Sequence, residues 1–408
     1  MDSESDARLE LDPPRSPHEL RGLEGSATST VYAAGRLLLG AEARLVDAFA
    51  SIPVVLLADQ SVPDSALVVL EGQWDGRALG AARVLRWQPG SGPPLEWQRL
   101  FADGTGSRLR ERAQLIARTR RFFEAEGFLE VDTPVRSAEC GTETHVEPIA
   151  SGDHYLVTSP ELHMKRLLVG GVPRLFGLVR SFRAGEVGHL HSPEFLMLEW
   201  YRAFAGYSAV LEDTERLIHT LHRSLSASDE LLLASGARVD LRLPFQRLTV
   251  RDAFARYAGV ADAAELAARD EDEYFQRLVD DVEPALAELG RPVFLIDYPA
   301  SQAALARLCP SDPAVAERFE LYLGGVELCN GYGELTDPVE QRARCESDRA
   351  RRAQLGRHVP HAPERFLRAL AEGMPPASGN ALGMDRLIML LLGQPRIDGV
   401  MPFPSDQV

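Results

Sequence analysis

Two strand-length apolar runs, Arg174–Phe182 and Glu194–Ala203, stand either side of an eleven-residue connection, Arg183–Pro193. Turns between neighbouring antiparallel strands are usually about two to five residues long. This connection is longer and holds two glycines, two histidines and a proline. Long connections inside a compact domain are commonly functional. The pair therefore predicts a β-sheet with chemistry at one end, entered through an arginine.

Around that pair the pattern alternates between helix and strand. Leu109, Ala113, Ile116, Ala117 and Phe123 recur at helical spacing, and Gly127 stops the helix. A short strand is expected at Phe128–Val131. Ser159, Pro160 and Glu161 open a second helix, with serine as a cap, proline in the first turn and glutamate at the positive end of the dipole. Further strands are expected at Val293–Asp297, Phe319–Leu323 and Val326–Gly333, and a polar helix over Pro338–Gln354. Residues 207–290 read as mostly helical, with the acidic run Arg269–Glu273 as a solvated face. The last strong element runs from Gly383 to Leu391.

Ahead of this block the character changes. Residues 1–28 are polar and acidic and read as a flexible tail. Residues 29–100 read as a small β domain, possible as a barrel. Its short runs Pro53–Ala58, Ala66–Leu70 and Ala82–Trp87 are punctuated by Gly72, Gly76 and Gly80. Gln88–Pro94 reads as a linker, and 105–408 as a second, larger domain. The expected fold class is α+β.

Composition limits the partners. The 408 residues carry a net charge of −16, with 45% apolar and 25% charged residues, as in a globular protein. Nonspecific nucleic-acid binding, which needs many cations on phosphate, is not expected. No apolar run reaches membrane-spanning length. The start of the chain is too acidic for a secretory signal. Cys140, Cys309, Cys329 and Cys345 have no metal-type spacing and are read as free thiols of a cytoplasmic protein. Lysine is almost absent: Lys165 is the only one.

Three segments gather polar residues against strands: Phe182-Arg183, Glu327–Glu334, and Gly379–Arg386. In the third, small residues at alternate positions leave bare backbone for a flat ring or a phosphate, and Arg386 can aim a guanidinium at it. A glycine-rich strand packed closely on a helix would look the same. Glu327 and Glu334, seven apart, fall on opposite faces of a regular strand. A bulge at Gly331 or Gly333 would bring them together as Mg²⁺ ligands beside a triphosphate; otherwise they are ordinary strand carboxylates.

Taken in order, these segments resemble the signature motifs of class II aminoacyl-tRNA synthetases: Gly127–Pro134 as motif 1, Phe182-Arg183 through His191–Phe195 as motif 2, and Gly379–Arg386 as motif 3. Thr158–Leu167, Pro193–Arg202 and Gly325–Asp337 resemble the lysyl branch. With Pro299–Ala306 and Val315–Glu320, they are most similar to the elongation factor P lysine ligase family, over roughly residues 108–400.

The resemblance implies a class II core, a mainly antiparallel sheet flanked by helices, dimerised through motif 1. It implies ATP-dependent activation of (R)-β-lysine or lysine, and transfer to a lysine side chain of elongation factor P. ATP and Mg²⁺ follow from the same resemblance. Arg183 and Arg386 would be the catalytic phosphate contacts. Ser159, Pro160, Glu161, Tyr201 and Glu334 would bind the amino acid. Arg183, Ala184, Gly185, Ser192, Glu327, Leu328, Gly383 and Arg386 would hold the nucleotide, and Glu327 and Glu334 the metal. Ala381 stands where lysyl-tRNA synthetases usually carry glycine, so its methyl favours a β-amine over an α-amine.

Three departures matter. Gly185 replaces the motif 2 glutamate that meets adenine, with Glu186 one position later, and Ser192 replaces an asparagine. The ligases of this family also lack an N-terminal barrel. Residues 1–105 hold nine basic and fifteen acidic side chains, so this region reads as a structural or protein-docking barrel, and tRNA is not an expected partner. The alternatives are a lysyl-tRNA synthetase variant and a non-catalytic paralogue that binds an amino acid or translation factor.

Overall fold

The computed structural model describes residues 12–23, 28–90 and 95–405. The chain divides into two compact units, Met1–Glu111 and Arg112–Val408.

The first unit is built on a closed five-stranded barrel. Its strands are β1 (Ser29–Leu39), β2 (Ala43–Val46), β3 (Ser51–Leu56), β4 (Leu67–Trp74) and β5 (Leu79–Gln88), in the order β1-β2-β3-β5-β4. Pairing of β1 with β4 closes the ring and removes both sheet edges. Leu37, Leu45, Ile52, Leu70 and Leu79 fill the interior. Residues 15–22 lie inside the expected tail, yet they pack on the barrel. Ser16 caps a short helix α1 (Pro17–Arg21) in a reciprocal capping box with Glu19, and Leu20 is fully buried in the barrel core. Residues 1–11 and 24–27 of that tail, and 91–94 of the linker, lie outside the described residues.

The second unit is a large mixed sheet with helices packed against it. Its labelled strands are β6 (Leu129–Glu130), β7 (Arg174–Phe182), β8 (Glu194–Ala203), β9 (Gln246–Thr249), β10 (Val293–Pro299), β11 (Asp312–Leu323), β12 (Val326–Gly333) and β13 (Ala377–Gly383). They lie in the order β9-β10-β11-β12-β13-β8-β7-β6. Only the two outer pairs, β9–β10 and β7–β6, are parallel. The helices that matter for the site are α2 (Thr105–Ala125), α3 (Glu161–Val169), α4 (Tyr207–Arg223), α5 (Pro338–Gln354), α6 (Glu364–Gly373) and α7 (Met384–Leu391).

The bounds of β7, β8, β12 and α5 coincide with those read from the sequence. The stretch 207–290 does not stay helical: short strands Glu230–Leu232 and Arg238–Asp240 pair with each other, and β9 joins the edge of the main sheet. These strands are three or four residues long, too short to establish a period of two.

Strand alternation divides β8 cleanly. Leu196, Leu198 and Trp200 enter the main core with Phe123 and Phe176, whose rings stack at 4.8 Å. Phe195, Met197, Glu199 and Tyr201 point to the other face and line a cleft. Among the described residues, no helix is long and apolar enough to cross a membrane.

Candidate active site

Three adjacent strands form the floor of the cleft. Glu199 of β8, Ala381 of β13 and Asn330 of β12 stand in one row, and Tyr201, Gly379 and Tyr332 in the next. The central strand offers small residues at alternate positions because its neighbours lean over it. A Cβ on Gly379 would lie 2.2 Å from the Tyr201 ring and 2.9 Å from Glu334 Oε1. The opposite face of β13 is anchored instead: Asn380 donates to Thr214 Oγ1 of α4 at 2.9 Å. The cleft and its open mouth together span about 1130 Å³.

One end of the cleft is cationic. The Arg183 backbone N–H donates to Pro193 O at 2.9 Å, closing the long connection at its base. The Arg183 guanidinium lies over the Phe195 ring, 5.2 Å from its centroid, and 3.6 Å from Glu186. Its buried Nε has no hydrogen-bond partner. Arg386, in the first turn of α7, donates to Leu190 O at 3.1 Å and to Glu327 O at 2.9 Å, and approaches His191 Nε2 at 2.6 Å. Burial and the Arg386 charge hold His191 below its ordinary pKa, so its neutral ring accepts from the guanidinium. One arginine thus joins the connection, β12 and α7.

The other end is acidic. Pro160, not Ser159, stands at the N-cap of α3; Ser159, just before it, accepts from the Glu161 N–H at 3.0 Å and donates to Glu199 Oε1 at 2.5 Å. Tyr201 donates to the second oxygen of Glu199 at 3.0 Å. Glu199 is fully buried; burial, then the Glu161 charge, push its pKa up to about 8. Lys165 Nζ lies 2.5 Å from Glu161 Oε1 and 2.5 Å from Glu334 Oε2.

Glu327 and Glu334 do share the cleft, by a different device from the expected one. The ladder between β11 and β12 shifts register so that Leu328 is left without a partner. This bulge reverses the parity of Glu327 relative to Asn330, Tyr332 and Glu334; the ladder from Cys329 to Tyr332 is regular, with no bulge at Gly331. Partial burial, with Glu320 nearby, pushes Glu327 above the ordinary carboxylate range against the pull of Arg386 and Arg318.

The rim has its own support. Fully buried Arg352 of α5 donates to Glu143 O at 2.7 Å, Val146 O at 2.8 Å and Glu147 Oε2 at 2.7 Å. Glu147 O in turn accepts from the Ala184 N–H at 2.8 Å. Glu143 and Val146 line the cleft.

Most residues singled out from the sequence meet in this cleft: Ser159, Glu161, Arg183, Ser192, Tyr201, Glu327, Leu328, Glu334, Gly383 and Arg386. Pro160, Ala184 and Gly185 do not line it. Pro160 is buried under α3, its carbonyl accepting from His163 and Met164. Ala184 is turned toward Glu147. Gly185 has φ +77°, with open space around its Cβ position, while Glu186 faces the cleft. The residue missed was Glu199. A single carboxylate between Leu198 and Trp200 in an apolar strand was the available signal.

A sheet floor with a small-residue strand at its centre, an arginine at each side of one end and carboxylates at the other defines a class II aminoacyl-tRNA synthetase type of catalytic domain. Residues 96–407 match the class II tRNA synthetases (D, K and N). The chain is 38% identical over 317 residues to a protein of Hamiltonella defensa named elongation factor P–(R)-β-lysine ligase, covering 74% of this chain and 96% of the relative. Proteins of the same name from Vibrio cholerae and Edwardsiella ictaluri are 39% and 42% identical, each covering 73% of this chain and 95% of the relative. The chain belongs to the class II synthetase family and, within it, to the elongation factor P–(R)-β-lysine ligases. The N-terminal barrel precedes the matched residues.

Proposed function

We propose that this protein uses ATP to activate (R)-β-lysine, or lysine, as an adenylate and transfers it to a lysine side chain of elongation factor P. The observation that carries this reading is the charge layout of the cleft: arginines at one end, and Glu161, Glu199 and Glu334 at the other. An amino acid with a carboxylate and two ammonium groups fits that polarity.

In the first step a substrate carboxylate oxygen attacks the α-phosphorus. The new O–P bond forms as the bond to the β-phosphate bridge breaks, and pyrophosphate leaves with the electron pair. Two anions must approach, so fixed cations supply the stabilisation. Arg183 would meet the α-phosphate, its free Nε being the donor still unused, and Arg386 the γ-phosphate end. Phe195 and the bare strand Gly379–Gly383 leave a flat slot for the base. In the second step the acceptor amine attacks the carbonyl carbon, an amide forms, AMP leaves and the amine gives up a proton.

Mg²⁺ bound with the nucleotide would neutralise phosphate charge. Glu327 fits that role, being a half-exposed carboxylate on the cleft wall, 3.7 Å from the Arg386 guanidinium. Glu334, expected beside it, is engaged by Lys165 and belongs to the amine end instead.

Ala381 places its methyl next to Glu199 in the same row, which supports a preference for the β-amine. Exposed Leu129 and Val135, in and beside motif 1, support a homodimer through that segment. Four unpaired cysteines support a cytoplasmic setting.

ATP–pyrophosphate exchange with (R)-β-lysine, α-lysine and neutral amino acids tests the reading, followed by the intact mass of elongation factor P. Exchange strongest with (R)-β-lysine, and a mass gain on the acceptor, are expected; no exchange with any amino acid would overturn it. Arg183→Met should lower the exchange kcat by about 10²-fold, the usual effect of losing one preorganised contact.

The pH dependence has a definite sign. Glu199 is protonated in the empty cleft below about 8, and the substrate ammonium needs its carboxylate. Binding therefore releases a proton, and KM for the amino acid should fall by up to about tenfold per pH unit as pH rises from about 6 toward 8. Measured KM–pH profiles should flatten in Glu199→Gln.

A further inference from the structure

Of 44 basic residues in this chain, one is lysine and all others are arginine. A composition that uses arginine everywhere else keeps lysine where a compact ammonium is required and a planar guanidinium does not fit. That place is position 165, in the amine end of the cleft.

Lys165 lies one turn after Glu161 on α3, and its side chain is 1% exposed. Its Nζ sits 2.5 Å from Glu161 and 2.5 Å from Glu334, bridging α3 to the end of β12. The third carboxylate, Glu199, accepts from two hydroxyls and forms no ion pair among the described residues. Three carboxylates and one ammonium leave two negative charges, the number of ammonium groups that a diamino acid brings. Without Lys165, three carboxylates, Glu199 and Glu334 buried and Glu161 partly so, would face two cations, and the surplus charge would be costly or would take up a proton.

We infer that Lys165 is a specificity-determining positioning residue, a resident ammonium seated between Glu161 and Glu334 that makes the cleft accept two substrate ammonium groups and no third. The inference rests on the amino-acid-activating reading above and deepens it. Lys165 touches no reacting atom. It holds two carboxylates charged and in place, and it fills a seat that any small alkylammonium ion would otherwise take.

The test uses the exchange assay with Lys165→Ala and Lys165→Met. KM for the diamino acid should rise about 100-fold in both, as when one member of a buried charge pair is lost, while KM for ATP stays within about threefold. Propylammonium at millimolar concentration should restore Lys165→Ala at least tenfold, saturably. Tetramethylammonium should not, and Lys165→Met, whose side chain fills the seat, should not respond. A parallel loss of ATP and amino-acid binding without rescue would overturn the inference, leaving a merely structural ion pair.

The wild-type chain offers a second measurement if the variants do not fold. Labelling with lysine carrying ¹³C at Cε yields a single side-chain resonance, that of Lys165. It should move on addition of the diamino acid and stay put with norleucine. A resonance unmoved in protein that does exchange overturns the inference alone. Wild-type protein that neither exchanges nor shifts overturns the activating reading with it.

Discussion

Glu199→Gln is expected to raise KM for the diamino acid by about 10³-fold, with ATP affinity unchanged. Glu199 is fully buried, and both its oxygens already accept a hydroxyl, from Ser159 and Tyr201. A substrate ammonium placed there adds a charge-assisted bond in a desolvated site. Glutamine keeps the shape but loses the charge, and its amide N–H₂ must face a hydroxyl that was donating. Breaking a buried charge pair from one side costs about 2–5 kcal/mol, so 10³-fold lies within that range. Steady-state exchange gives the KM, and calorimetry with ATP alone supplies the control. A KM within threefold of the wild type would remove Glu199 from the amine site.

Asp385→Ala should destabilise the second unit by about 3–5 kcal/mol, the usual consequence of leaving a buried charge unpaired. Asp385 is 1% exposed and its carboxylate lies 2.5 Å from Arg112, itself nearly buried. Its other oxygen accepts from the Leu196 N–H at 2.7 Å. The residue therefore ties α2 and β8 to α7, immediately before Arg386. Alanine removes both links and strands Arg112 in a low-dielectric site. Asp385→Asn retains an acceptor for Leu196 and should cost less. Denaturant unfolding of the three proteins measures the order, and equal stabilities would refute this account of the α2–β8–α7 junction.

The strands that carry the site were legible because their chemistry is local. Arg174–Phe182, Glu194–Ala203 and Val326–Gly333 are long enough to show their character and are bounded by glycine, proline or a polar loop. Gln246–Thr249 was not legible: with four residues, three of them polar, it becomes a strand only because it pairs in parallel with Val293–Ile296 of β10 at the sheet edge. The N-terminal helix at Pro17–Arg21 is of the same kind. Its capping signal was present in Ser16 and Glu19, but the reason it packs is the barrel beneath Leu20.

The carboxylates show the same division. Residue order was enough to place Arg183, Arg386 and Glu161 in one cleft through motif spacing. Local spacing also puts Lys165 within reach of Glu161, since i and i+4 share a helix face. That Glu334 completes the pair comes from chain folding, because it lies on another element far along the sequence. Glu327 reaches the cleft only through the register shift at Leu328, and that shift is a property of two strands pairing, not of one. Periodicity is written in neighbouring residues and can be read from them. Charge pairing acts through distance in space, and only the assembled sheet brings Glu161, Glu199, Glu334 and Lys165 close enough to decide which carboxylate serves the substrate and which is already taken.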